Sequence, residues 1–291
     1  MSRGIFILGF FDAIHIGHRL LINEGLRFAK KNSEELFVVT FADQLYEELH
    51  LNLKEIYLLS ERQAIIDNLG SKSIVLPTNS EFLAKSDIEF LHILKDMNPS
   101  TIIVGNDYTF GKNARGNSEK LKSFFDNTQI EVIIINLLND NDEKISTSFI
   151  RKLLQNGNIK RANSLLGSPF FVSGEVVGGL HNGHLIGFPT ANINFSKYKI
   201  IPKYGVYATF TYIDGVKYPS VSNVGAHPTF DNSIVNLETH ILNFTGDLYG
   251  KTITVEFIEY LREIEKFDSI SQLKDQIGAD VELAKKELLY D

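Results

Sequence analysis

No cysteine occurs among the 291 residues, which excludes disulfides, thiolate metal sites and thiol nucleophiles and fits a cytoplasmic setting. An excess of basic charge is also missing. With 29 Lys and Arg against 36 Asp and Glu, the formal charge is -7, so no broad electrostatic footprint for duplex nucleic acid is available. Local anion sites stay possible. No apolar run approaches the ~18 residues of a membrane span, and the run from Met1 to Leu8 is too short for a signal sequence and lacks a small-residue cleavage site. A cytoplasmic protein without nucleic-acid or membrane partners is expected. Repeats and low-complexity segments are likewise lacking, so the chain should fold throughout.

What is present reads as two halves with different rhythm, and the length favours two compact units, each with its own core. In the first half short β-rich runs alternate with helical patterns. Strands are expected at Ile5 to Phe10, Leu36 to Phe41, Ser73 to Leu76, Thr101 to Val104 and Val132 to Ile135. Helices are expected at His18 to Lys31, Ser60 to Leu69, Ser86 to Asp96 and Ser118 to Asp126. This alternation predicts a parallel sheet with crossover helices, a Rossmann-like α/β domain. Two short helices, Thr147 to Asn156 and Ile159 to Leu166, end it near Gly157, Gly167 and Pro169, which places the boundary between residues 165 and 166.

Beyond that point helices give way to strands: Phe170 to Val177, Val206 to Ile213, Tyr218 to Val224, Asn236 to Leu242 and Thr252 to Leu261. Asp214-Gly215 and Asn182-Gly183 supply turns, the former a strong hairpin signal. A small antiparallel barrel closed by a final amphipathic helix, Ser269 to Leu289, is the expected second domain.

Gly9-Phe10-Phe11-Asp12-Ala13-Ile14-His15-Ile16-Gly17-His18 follows the first strand and opens the first helix. Helix N-terminal amides at the carboxyl edge of a parallel sheet favour phosphate, His15 and His18 could donate hydrogen bonds to a triphosphate, and Gly17 lets the backbone approach closely. The plainer alternative is a helix cap with histidines facing solvent. A hydroxyl-rich run, Ile145-Ser146-Thr147-Ser148-Phe149-Ile150-Arg151, suits a triphosphate through Ser146, Thr147 and Arg151, or serves as an ordinary N-cap. Between them lies Val104-Gly105-Asn106-Asp107-Tyr108-Thr109-Phe110-Gly111.

The second half carries Gly187-Phe188-Pro189-Thr190-Ala191-Asn192, then Glu238-Thr239-His240, then Arg262-Glu263-Ile264-Glu265-Lys266-Phe267. A glycine-led approach followed by Thr and Asn suits phosphate and a hard cation that takes oxygen ligands, and one carboxylate could accept a proton from an attacking hydroxyl. Pro189 shaping a turn and Glu238 as an exposed strand residue are the bland readings of the same residues.

In order and together, these segments resemble the bifunctional FAD synthetases of prokaryotes, with coverage from Gly9 to Ala284. The N-terminal half is similar to nucleotidylyltransferases, whose His-x-Gly-His and late hydroxyl-Ile-Arg signatures contact ATP phosphates, and the C-terminal half is similar to riboflavin kinases. The resemblance implies an FMN adenylyltransferase-like Rossmann domain at 1–165 and a riboflavin kinase β-barrel at 166–291. It implies Mg²⁺ and ATP, with riboflavin and FMN as the flavins. Glu238, His15 and His18 become catalytic residues, and Gly17, Ser146, Thr147, Arg151, Gly187, Thr190 and Asn192 become ATP or phosphate contacts. Thr190 and Asn192 also hold the metal, and Asn106, Asp107, Arg262, Glu265 and Phe267 meet the flavin.

Several positions depart from that pattern. Ala13 stands where the family has glycine, which would strain the turn if that position needs φ > 0. The family's Thr-Phe-x-Pro-His-Pro is replaced by Thr40-Phe41-Ala42-Asp43-Gln44-Leu45, and His184 and His227 stand where arginine is common. The alternatives are a riboflavin kinase beside a degenerate partner domain, and a flavin or nucleotide sensor; an intact Glu238 and Thr190 favour an enzyme.

Overall fold

In the computed structural model, which describes residues 3–136, 139–140, 143–178, 187–226 and 235–289, the chain divides into two compact units, Met1–Thr147 and Ser148–Asp291. The two short helices placed before the expected boundary therefore group with the second unit.

The first unit is built on apolar runs too continuous for a half-exposed strand. Ile5–Leu8 (β1), Leu36–Phe41 (β2), Lys72–Leu76 (β3) and Thr101–Gly105 (β4), with Glu131–Ile135 (β7), form one parallel sheet in the order β3-β2-β1-β4-β7. Every residue of β1 and β4 is buried, as central strands covered on both faces require, whereas edge strand β3 alternates in exposure. The crossovers carry Ile16–Asn32 (α1), Leu45–Glu48 (α2), Leu59–Asn68 (α3), Ser80–Leu83 (α4), Asp87–Asp96 (α5) and Ser118–Phe125 (α6). Ser86 caps α5 through a reciprocal box with Glu89. Two short pairs, Thr109–Phe110 (β5) with Gly116–Asn117 (β6) and Asn139–Asp140 (β8) with Glu143–Lys144 (β9), complete the unit. Phe6, Leu8, Val39, Ile102, Val104, Leu91 and Phe125 belong to its core.

In the second unit Thr147–Gln155 (α7) and Ile159–Leu166 (α8) lead into a closed barrel. Its strands are Phe170–Val177 (β10), Thr190–Asn194 (β11), Gly205–Ile213 (β12), Val216–Ala226 (β13), Val235–Ile241 (β14) and Thr252–Arg262 (β15), in the order β10-β11-β14-β13-β12-β15. Asp214 and Gly215 both take positive φ, +50° and +82°, in a two-residue hairpin between β12 and β13. The Asn182-Gly183 turn, His184 and His227 lie outside the described residues.

Inward positions of the barrel hold both apolar side chains and hydroxyls. Thr209, Thr211, Ser220, Ser222 and Thr239 are fully buried and hydrogen-bond to one another at 2.8 to 2.9 Å, so each finds a partner. On the outer face Val206, Ala208 and Val221 pack against Val281, Ala284 and Leu288 of Ile270–Leu288 (α9), which Ser269 caps. Strand β11 was not expected. It offers only Ala191 and Ile193 to the interior, too short an apolar alternation to announce a strand.

Candidate active sites

The first candidate site lies where the strand order reverses, between β1 and β4, the position at which open α/β sheets bind ligands. Parallel pairing of Ile5, Phe6 and Ile7 with Thr101, Ile102 and Ile103 brings the Gly9–His18 turn and the Gly105–Asp107 turn to the same sheet edge. His15 is the N-cap of α1, and its Nδ1 accepts the amide N–H of His18 at 3.3 Å. That bond requires a lone pair on Nδ1, so the His15 proton resides on Nε2. The two imidazoles stack at 3.8 Å with planes 9° apart, and Phe11 packs on His18 at 4.9 Å. Burial, and secondarily the neighbouring His15, hold His18 well below the usual histidine range.

Gly17 has a steric reason beyond phosphate access. A Cβ there would stand 3.2 Å from the His15 ring, crowding the stack. The expectation of strain at Ala13 is corrected: positive φ falls on its neighbours, Phe11 at +56° and Ile14 at +41°, both fully buried. For a β-branched residue such as Ile14 this is a strained conformation, held by its surroundings. Asn106 and Asp107 are exposed at the end of β4, with the Asn106 amide donating to Ile135 and its carbonyl accepting from Ser118. Thr147 opens α7 directly after Ser146 and closes the first unit, while the buried Arg151, four residues on, belongs to the second.

The second site is a cavity of about 650 Å³ on the outer face of the barrel. Six of the residues expected there line it: Thr190, Asn192, Glu238, Arg262, Glu265 and Phe267. The period of two explains the convergence, because Thr190 and Asn192 project from one face of β11 and Asn236, Glu238 and His240 from the adjoining face of β14. The register pairs Thr190 with His240 and Asn192 with Glu238. Gly187 lies outside the lining; its φ of +87° with open space around it makes it a backbone turn leading into the strand.

Polar positioning is extensive. Asn236 donates to Asn192 Oδ1 at 3.4 Å and to Glu238 Oε1 at 3.3 Å. His240 Nδ1 meets the Pro189 carbonyl at 2.9 Å, which can only accept, so this nitrogen carries the proton. Arg262 is committed differently from a simple flavin contact: Nε and Nη2 grip both oxygens of Asp280 at 2.8 and 2.7 Å, and Nη1 donates to the Glu263 carbonyl. The Asp280 bond raises the Arg262 pKa. Asn236 and Asp280, which also line the cavity, were not among the residues expected there, although counting by two from Glu238 reaches Asn236.

Thr190 Oγ1 and Asn192 Oδ1 are neutral oxygens beside a carboxylate, a donor set suited to Mg²⁺, which keeps most of its coordination for water and phosphates. Among the described residues no group of three or more His, Asp or Glu could hold a metal by itself, and no helix is long and apolar enough to cross a membrane.

Comparison with known proteins assigns both halves. A family model described as FAD synthetase matches residues 2–149, and one described as riboflavin kinase matches residues 166–288. The chain is 31% identical over 287 residues to a bifunctional riboflavin kinase/FMN adenylyltransferase of Bacillus subtilis, covering 96% of this chain and 90% of that one. A Buchnera aphidicola protein of the same description is 34% identical over 293 residues, covering 98% and 93%. A crystal structure from Streptococcus pneumoniae, described as a macrolide-efflux protein, superposes with a TM-score of 0.87 at 35% identity, covering 98% and 94%.

Proposed function

Because the chain belongs to the family of bifunctional riboflavin kinases/FMN adenylyltransferases, we propose that its two reactions are carried by the two sites just described, with Glu238 as the base of the first reaction and the His15–His18 turn as the phosphate cradle of the second. The enzyme converts riboflavin and ATP to FMN and ADP, then FMN and ATP to FAD and pyrophosphate. Both family models and the curated relatives agree on flavin chemistry, while the streptococcal structure shares the fold under a different description.

The observation that carries the site assignment is the convergence of Thr190, Asn192 and Glu238 from paired strands into one cavity. In the kinase reaction Glu238 accepts the proton of the ribityl 5'-hydroxyl as its oxygen attacks the γ-phosphorus and ADP leaves. Asn236 holds the carboxylate and the Asn192 amide in fixed relation, so the base and the phosphate contacts are set before substrate arrives. Bound at Thr190, Asn192 and the ATP phosphates, Mg²⁺ would neutralise charge on the transferring group. Phe267, Glu265 and the Arg262 that α9 holds form the flavin side of the cavity.

In the adenylyl transfer an FMN phosphate oxygen attacks the α-phosphorus of ATP. His15 Nε2–H and the first amides of α1 stabilise the phosphates where charge builds, and Asn106 and Asp107 face the flavin from the neighbouring strand end. Ser146 and Thr147, at the end of the first unit, would add hydroxyl contacts to the triphosphate. We place both reactions in the cytoplasm, on free flavins and ATP.

The test is direct: the purified protein is incubated with Mg-ATP and either riboflavin or FMN, and the flavins are separated by chromatography. FMN and FAD are expected respectively. FMN formation that survives Glu238→Gln removes the base assignment.

A further inference from the structure

Arg62 is a charged side chain with no exposed surface, placed on α3 and outside every motif that signals phosphate or flavin. Its Nη1 donates to the Phe10 carbonyl at 3.2 Å and to Thr40 Oγ1 at 3.0 Å, and Thr40 Oγ1 donates to the same carbonyl at 2.6 Å. The guanidinium lies over the Phe10 ring at 4.8 Å. Its Nη2 reaches Asp43 at 3.2 Å and Glu55 at 3.5 Å. From the other side, Asp12 accepts the Ile56 amide at 2.6 Å and the Tyr46 hydroxyl at 2.9 Å. The segment that lacks the family's Pro-His-Pro is therefore tied to the phosphate turn at Phe10 through Thr40, while Tyr46, just beyond it, and Ile56 hold Asp12.

The carbonyl that Arg62 and Thr40 hold belongs to the residue just before Phe11, where the backbone enters its strained run toward His15. A strained turn keeps its shape only when neighbouring groups fix it. We propose that Arg62 is a positioning residue for adenylyl transfer: through the Phe10 carbonyl it fixes the turn that presents His15 and His18 to the triphosphate. Asp43, standing in the altered segment, orients the guanidinium, so the substitution of that segment brings its own anchor. This inference rests on the assignment of adenylyl transfer to the first unit.

The test uses full-length Arg62→Met, Arg62→Lys and Thr40→Val proteins. Turnover of FMN to FAD is measured alongside phosphorylation of riboflavin, and the imidazole resonances of His15 and His18 are followed by NMR. In Arg62→Met, kcat for FAD formation should fall at least tenfold with a smaller change in KM, riboflavin phosphorylation should stay within twofold, and the imidazole resonances should move. Arg62→Lys should regain part of the loss, because it restores the cation without the fork. Thr40→Val removes one bond to the carbonyl at nearly constant volume, so it decides the matter if Arg62→Met does not fold; a severalfold loss is expected. Unchanged turnover and resonances in Thr40→Val and in the folded Arg62 variants overturn the proposal. If the wild type forms no FAD, the adenylyl-transfer reading falls, and the resonances alone decide whether Arg62 holds the turn.

Discussion

Asn192 and Glu238 sit directly opposite each other on β11 and β14, and Asn236, two residues before Glu238, bonds to both. Glu238, the base proposed for the kinase reaction, is thus held by a neutral amide donor rather than by a cation.

Glu238→Gln keeps the shape and the Asn236 contact but removes the base, so riboflavin phosphorylation should fall by ~10²- to 10⁴-fold while FMN adenylylation is unaffected. Asn236→Ala should cost less, about tenfold in kcat, because the carboxylate remains but is no longer held. Chromatographic assays of each half-reaction distinguish these outcomes; equal losses in both half-reactions for Glu238→Gln would contradict separate sites.

His15 caps α1 and is the proposed phosphate donor, and substitutions can part the two roles. His15→Ala should lose FAD formation and also ~1 kcal/mol of stability through the lost cap. His15→Asn restores a good capping acceptor, so denaturant unfolding should recover toward wild type while FAD formation stays low. If activity returned together with stability, the cap alone would account for the residue.

The elements that the sequence announces are those with a strong apolar period and a clear stop signal. β2 and α8 appear at the expected residues because one is a continuous apolar run and the other an amphipathic turn pair ended by Gly167. β11 escaped notice because two of its five residues, Thr190 and Asn192, face the cavity rather than the core. Thr190, Asn192 and Glu238 were legible as motifs, and strand periodicity then placed them together. Asp280 was not, since a lone carboxylate on a helix gives no sign that its partner, Arg262, ends a strand 18 residues earlier. The altered Thr40–Leu45 segment was visible as a loss; that Asp43 pairs with an arginine 19 residues on was not.

The clamp between Arg262 and Asp280 ties the end of β15 to α9, whose first turns wall the cavity with Ile270, Leu273 and Ile277. Both side chains are largely buried, at 18% and 5% exposure, so breaking the pair leaves a charge poorly solvated. Asp280→Asn should raise KM for riboflavin several-fold and lower stability by ~1 to 3 kcal/mol. A double-mutant cycle with Arg262→Gln should show coupling of similar size. An additive cycle, or an unchanged KM, would separate the clamp from flavin binding.

Glu55 makes the stability of the fold depend on pH. Burial pushes Glu55 from its ordinary 4.5 up to about 8, with Asp43 and Asp12 adding to the shift and Arg62 opposing it. The folded state then holds a proton that the unfolded chain releases near pH 4.5. Its contribution to stability is complete below that pH and is lost as pH rises toward 8, where ionised Glu55 is left facing Arg62, Asp43 and Asp12. The slope attributable to this one group reaches ~1.4 kcal/mol per pH unit. Glu55→Gln keeps an acceptor for the Gln44 amide and for Arg62 but cannot titrate. Urea unfolding from pH 5 to 9 should therefore show wild type losing stability relative to Glu55→Gln up to about pH 8 and running parallel to it beyond. Parallel curves across the whole range would mean that Glu55 is ionised throughout and that Arg62 holds two carboxylates rather than one.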